Sequence, residues 1–349
     1  MIEQSIWGET SRGEIANKFV LENENGMRIV VSDLGALVLS IALKDRDGIM
    51  RDVALGFENM EDYFQIGTGM GAYVGRNANR IKGACVKIEG VDYTLETNEG
   101  KNNLHSGYNR SHCKLYYSKK REESNKRYVE FYRISPHLEQ GFPGNLKQVI
   151  RYTLTDKNEF IIDYDMICDQ TTVVNPTNHT YFNLDGHDSG TVLEHELEVY
   201  SDAFLEIDKE MIPTGEILDV DGTPMDFRNR KRIGQDIDSD YEPLNIARGY
   251  DHNYIYNNDR ILAKKAKLYA ANSGISMTVY SDMCGLQIYT GNYLNEDNGK
   301  DGAIYKKNSG VCLETQFYPN SCNEIKFPSP ILKANKEFVS RTVYSFEVE

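Results

Sequence analysis

No CxxC pair occurs among the six cysteines, which stand at positions 85, 113, 168, 284, 312 and 322. That spacing suggests neither a zinc ribbon nor a dithiol redox motif. No apolar run approaches the ~20 residues that a membrane span requires. The opening residues, MIEQSIWGETSRGE, carry no basic n-region and no apolar h-region, so no secretory signal is visible. The chain is therefore expected to be cytoplasmic, with reduced thiols and no membrane partner. The sequons at 109–111 and 178–180 then carry no meaning. Positive charge is also in short supply: 39 Lys and Arg stand against 53 Asp and Glu, a net charge of −14. Such a balance argues against binding nucleic acid or an anionic membrane surface.

Several catalytic signatures are missing too. There is no GxSxG elbow, so a hydrolase of that type has no support. In EHELEV (194–199), Val199 takes the place of the second histidine of HExxH, and the other histidines show no ligand spacing. No metal site is expected. GTGMGA (67–72) spells G-x-G-x-x-A, but no β-branched strand leads into it and no helical pattern comes after it, so no dinucleotide cofactor is expected. Helical periodicity is scarce everywhere; ENMEDYFQIG (58–67) offers one or two turns at most.

What the chain does have is strand signal. In FIIDYDM (160–166), Phe160, Ile162, Tyr164 and Met166 share one face and Ile161, Asp163 and Asp165 the other. VIRYTLTDKNEFIIDYDM reads as a hairpin, and NENG (23–26) between FVLE and MRIVVS as another. The 28 glycines punctuate the whole length, with no low-complexity linker and no convincing short repeat. With 349 residues, 40% hydrophobic, the chain can bury a sizeable core without covalent staples. The expected fold is all-β: a single large domain over residues 1–349, with sheets packed face to face and few short helices. A twisted sheet of this kind can point every second residue of several strands at one ligand.

Polar clusters interrupt that pattern. GRNANRI (75–81) crowds Arg76, Asn77, Asn79 and Arg80 into one segment; read functionally, these are fork and amide donors for hydroxyl groups. NNLHSG (102–107) holds His105. NPTNHTYFNL (175–184) surrounds His179 with asparagines and aromatics. IPTGEI (212–217) is most simply a turn. YDHNY (250–254) carries Asp251. In GLQIYTGN (285–292), Leu286 and Ile288 should face the core, leaving Gln287 and Tyr289 on the other side. In CLETQFYPN (312–320), Glu314 and Gln316 share a side. Donors and acceptors mixed with flat apolar rings suit a neutral, hydroxyl-rich ligand such as a sugar.

Taken in order, GRNANRI, NNLHSG, NPTNHTYFNL, IPTGE, YDHNY, YTGN and CLETQFYPN resemble the aldose 1-epimerases, also called galactose mutarotases, from about residue 10 to the C-terminus. The resemblance implies a large β-sandwich, no cofactor, and interconversion of the α and β anomers of free aldohexoses such as galactose and glucose. It places the catalytic acid on His179 and the catalytic base on Glu314. It places sugar contacts on Asn79, Arg80, His105, Asp251 and Gln287, with Tyr181 as a pocket wall. The chain departs from the commoner family pattern at Ser106, Pro176, Asn320 and the segment HLEQGFPG (137–144); none of these removes the acid, the base or a sugar contact.

Anomer exchange needs one base at the C1 hydroxyl and one acid at the ring oxygen. The ring opens, the aldehyde turns about C1–C2, and the ring closes on its other face. A glutamate and a histidine suit those roles by their ordinary pKa values, near ~4.3 and ~6.5. Rival readings are a hexose-6-phosphate 1-epimerase, which would need a basic phosphate pocket, a sugar-binding or regulatory module without turnover, and a two-carboxylate glycosidase.

Overall fold

In the computed structural model, residues 1–65 and 68–349 are described. Among them strands dominate, and no helix is long and apolar enough to cross a membrane. The predicted hairpins form: Leu146–Thr155 pairs antiparallel with Glu159–Cys168, and Ile15–Glu22 with Arg28–Ser32. The short helix Met60–Gln65 lies within the predicted 58–67 segment, whose last two residues fall outside the described ones. Gly67, the first residue of GTGMGA, is one of those two; Ala72, the last, opens the strand Ala72–Val74, where a dinucleotide-binding turn would lead into a helix. IPTGEI departs from expectation. It is part of the strand Pro213–Asp219, and Gly215 supplies a positive φ of 96° inside that strand.

Three antiparallel sheets carry the architecture. One has five strands, from Ile2–Glu9 to Met50–Asp52, and one has nine, with Glu159–Cys168 and Glu337–Val348 paired at its centre. The third has six, in the order Tyr181–Phe182, Val311–Gln316, Gly285–Tyr289, Asp251–Ile255, Ala203–Ile207 and Pro213–Asp219.

The six-stranded and nine-stranded sheets face each other across one core. Leu286, Ile288 and Leu313 from the first meet Phe160, Ile162, Tyr164, Met277, Tyr344 and Phe346 from the second in a single buried cluster. Tyr344 also donates its hydroxyl to the carbonyl of Leu313, 3.0 Å away. This is the sandwich that the alternating strands predict. Each large apolar side chain taken out of water contributes about 1.5–3 kcal/mol. That drive settles which face of each strand points inward. Period two then commits the intervening residues, Gln287, Tyr289, Cys312 and Glu314, to the opposite face.

Leu286→Ala tests this arrangement, because it deletes a core side chain one residue from Gln287. Urea unfolding should show a loss of about 2–5 kcal/mol; a loss under about 1 kcal/mol would mean that Leu286 does not face the core.

Candidate active site

Opposite the core, the six-stranded sheet holds a row of polar side chains. The register sets Asn253 beside Gln287 and Gln287 beside Glu314, on three neighbouring strands. One residue pair along, Asp251 lies opposite Tyr289 and Tyr289 opposite Cys312. Above this face lies a cavity of ≈ 450 Å³, lined by Asn79, Arg80, His105, His179, Tyr181, Asp251 and Glu314 among others. Seven of the eight sequence-predicted site residues therefore meet around one space, although they span residues 79 to 314.

The eighth, Gln287, is set back from the cavity. Its Nε2 donates to Asp251 Oδ1 at 2.5 Å, so it holds the carboxylate that reaches the cavity. Arg80 is placed by its own short strand, Arg80–Ile81, paired with Asn103–Leu104. Its guanidinium grips Glu99 through two bonds, of 2.7 and 2.8 Å, and lies 3.9 Å from Asp251. Asn79 and His105 hold each other: the backbone N–H of Asn79 donates to His105 Nδ1 at 3.1 Å, and the N–H of His105 to the carbonyl of Asn79 at 3.2 Å. Both residues take positive φ values, which frees their loops to turn sharply under the cavity.

His179 closes the strand Thr177–His179, which pairs with Ala72–Val74. Its Nε2 stands 3.7 Å from Glu314 Oε1, and its Nδ1 3.5 Å from the thiol of Cys312. Asn178 does not touch the imidazole. Its amide donates to the carbonyl of Gly71 and to the Tyr152 hydroxyl and accepts from Thr180, so it fixes the strand and leaves the ring to the cavity. The rings of Tyr181 and His105 pack against that of His179, with centroids 5.0 and 5.3 Å away. Phe182 and Leu184 anchor the segment in the core.

Burial dominates the electrostatics. It pushes the pKa of His179 down to about 4 and drives that of His105 well below the usual imidazole range. It raises the carboxyl of Glu314 well above the usual range, helped by the negative charge of Asp251 and opposed by Arg80. Asp251 is raised as well, chiefly by burial. Burial thus favours a neutral imidazole beside a protonated carboxyl.

Arg76 and Ser106, both singled out in the sequence, stand apart from the cavity. Arg76 supplies nothing to the cavity. It is 1% exposed, and its guanidinium donates to the carbonyls of Ser135, Pro136, Pro143 and Gly144 at 2.8–2.9 Å. It is a structural clamp on the HLEQGFPG segment, whose Gln140 in turn accepts the Arg76 N–H. Ser106 likewise lies below the site, its hydroxyl exchanging hydrogen bonds with the backbone of Asn77. Conversely, Glu99, Met211 and Tyr289 line the cavity without having been assigned to it. Alternation on GLQIY already turned Tyr289 to that side. Nothing local marks Glu99 or Met211, which enter through contacts with Arg80.

A family model described as aldose 1-epimerase matches residues 17–345. The chain is 38% identical to the galactose mutarotase of Sus scrofa, over 99% of both proteins. It is 34% identical to the aldose 1-epimerase of Escherichia coli K12, over 97% of both. Among solved structures, an aldose epimerase homologue from C. elegans superposes with a TM-score of 0.87 at 29% identity, covering 95% of this chain and 99% of that one. The galactose 1-epimerase of Lactobacillus acidophilus gives 0.87 at 26% identity, covering 100% and 99%.

The two neighbouring arginines should part company on substitution. Arg76→Met leaves several buried carbonyls without their donor, each costing about 1–3 kcal/mol, and urea unfolding should register a loss of more than about 3 kcal/mol. Arg80→Met should cost less: Arg80 is itself buried, but its partner Glu99 is 36% exposed, so water can replace the lost bonds there. Equal losses would contradict the different placement of the two side chains.

Proposed function

Because the chain belongs to the aldose 1-epimerase family, we propose that it interconverts the α and β anomers of free aldohexoses such as galactose and glucose, with Glu314 and His179 as the acid–base pair. The observation that carries this reading is the buried pair itself, with two proton-bearing atoms 3.7 Å apart at one wall of a cavity that accommodates a hexose.

The reaction needs one proton on the pair and moves it between the partners. With the ring closed, Glu314 is a carboxylate at the C1 hydroxyl and His179 an imidazolium at the ring oxygen. Opening transfers the C1 proton to Glu314 and the His179 proton to the ring oxygen. With the chain open, Glu314 is a neutral acid and His179 a neutral imidazole. After rotation about C1–C2, both transfers run backwards onto the other face of the aldehyde. Burial favours the open-chain arrangement by several kcal/mol per ionised group. Attraction across 3.7 Å favours the closed-ring one, by on the order of 4 kcal/mol at an effective dielectric of ~20. Attraction thus offsets part of the burial cost, and the Arg80 charge and hydrogen bonds from a bound sugar work in the same direction.

Around the pair, Arg80 and Asp251 would hold hydroxyls by charge-assisted hydrogen bonds, Asn79 and His105 by neutral ones, and Tyr181 would wall the ring. Gln287 and Glu99 would orient Asp251 and Arg80. A phosphorylated hexose fits less well. Arg80 is already bound to Glu99, and the cavity lining offers the carboxyl groups of Asp251 and Glu314 in place of a second Lys or Arg. We read residues 1–349 as one domain, in support of which the cavity draws on residues from 79 to 314.

Polarimetry on freshly dissolved α-D-glucose and α-D-galactose is the test. The wild type should speed relaxation to the anomeric equilibrium, and Glu314→Gln and His179→Asn should each lose about 10²–10⁴-fold in rate. No acceleration of either sugar by folded wild type would sink the reading.

The pH profile has a defined sign. The singly protonated pair is lost on the acid side when a second proton arrives, so kcat/KM should fall below pH about 4, the value to which burial takes His179. It should fall again on the alkaline side, when the remaining proton leaves. An acid limb centred at the ordinary imidazole value would contradict this protonation scheme.

A further inference from the structure

Behind the base lies a feature that anomer exchange does not by itself require. Glu314 Oε1 faces His179, but Oε2 is buried and has no hydrogen-bond partner among the described residues. The same holds for both amide atoms of Asn253, both of Gln316, and Oε1 of Gln287. All four residues are at most 3% exposed.

These atoms are not scattered. Asn253, Gln287 and Glu314 are consecutive cross-strand neighbours, and Gln316 lies two residues beyond Glu314 on the same face of its strand. Gln316 pairs with Gly285, which completes the block. A Cβ at position 285 would stand 2.7 Å from Asn253 Oδ1 and 3.1 Å from its Nδ2, so the Asn253 amide leans over the bare glycine, toward Gln316. The four side chains thus form one contiguous polar niche on the sheet, beside Gly285 and next to the cavity that Glu314 lines.

A buried amide or carboxyl without a partner costs about 1–3 kcal/mol, and native proteins rarely leave six such atoms together. A polar niche of this kind is where buried water is found, at about three hydrogen bonds per molecule. We propose that the niche binds a cluster of about two waters, held by Asn253 and Gln316, which donate hydrogen bonds to Oε2 of Glu314. Asn253 and Gln316 are then positioning residues. Neither touches the sugar; through the waters they hold the carboxylate in one rotamer and stabilise its charged form. Gln287, bonded to Asp251 on one side and facing the niche on the other, ties the same waters to the sugar-binding carboxylate.

The need is plain from the surroundings of Glu314. It faces His179 from a neighbouring strand, Asp251 and Arg80 across the cavity, Cys312 on its own strand and Tyr181 beside it, with Tyr164 and Tyr344 within electrostatic reach from the opposing sheet. Burial works against its ionised form, and Asp251 adds to that. Donors at Oε2 work in the other direction.

The inference deepens the epimerase reading and takes Glu314 as the base from it, yet its test does not depend on turnover. The Glu314 carboxyl can be followed by infrared titration of the resting protein, with Glu314→Gln as the blank that assigns the band. Gln316→Met keeps the side-chain volume and removes both polar atoms; Asn253→Leu does so from the other wall. In each, the apparent pKa of Glu314 should rise by about one unit and kcat should fall roughly tenfold, with KM for the sugar near its wild-type value. A crystal structure at high resolution should place water within hydrogen-bond reach of Oε2. Both variants titrating within a few tenths of a unit of wild type would overturn the proposal, as would a dry niche with the two amides bonded to each other. A wild type that fails in polarimetry but titrates as described would remove the epimerase reading and leave the hydrated niche standing.

Discussion

An imidazole and a carboxyl group, both shielded from solvent and 3.7 Å apart, set the terms for everything around them. Neither can ionise alone without a cost of several kcal/mol. Together they can share one proton, because the attraction between their charged forms offsets part of that cost. Exposure would weaken the attraction, and deeper burial without the neighbouring dipoles would trap the pair in its neutral form. The cavity therefore has to be apolar enough to exclude water and polar enough to keep both proton positions accessible.

The sandwich meets that demand through ordinary strand physics. Leu286, Ile288 and Leu313 are drawn into the core shared with the nine-stranded sheet, and that fixes the orientation of their neighbours. His179 reaches the same place from a different short strand, whose partner Ala72–Val74 belongs to the loop-rich side of the cavity. Glu314 thus belongs to the six-stranded sheet and His179 to a separate two-stranded element. A sugar in the cavity would meet one group from each along the same wall.

How much of this was legible in the chain depended on whether the signal was local. The β architecture, the two hairpins and the inward set of FIIDYDM come from alternation, and they stand. His179 and Glu314 stood out because both sit in segments with unusual polar density, for which a plain core strand has no use. Arg76 shows the limit of that signal. It shares its segment with Asn79 and Arg80, but its guanidinium runs to carbonyls about 60 residues further along the chain. Glu99 and Met211 escaped notice because they join the cavity through contact with Arg80, and no short window of sequence contains such a contact. Gln287 showed its direction through periodicity, but not its distance from the cavity.

The strand Gly285–Tyr289 has a further implication for how the chain can change over evolutionary time. Its five residues alternate between core and polar face, and the bare position at its start makes room for a neighbour's amide. Inserting or deleting one residue here would exchange the two faces at a stroke, sending Gln287 into oil and Leu286 toward the substrate. Length variation must therefore collect in the connecting loops, while this short strand can drift only by substitution.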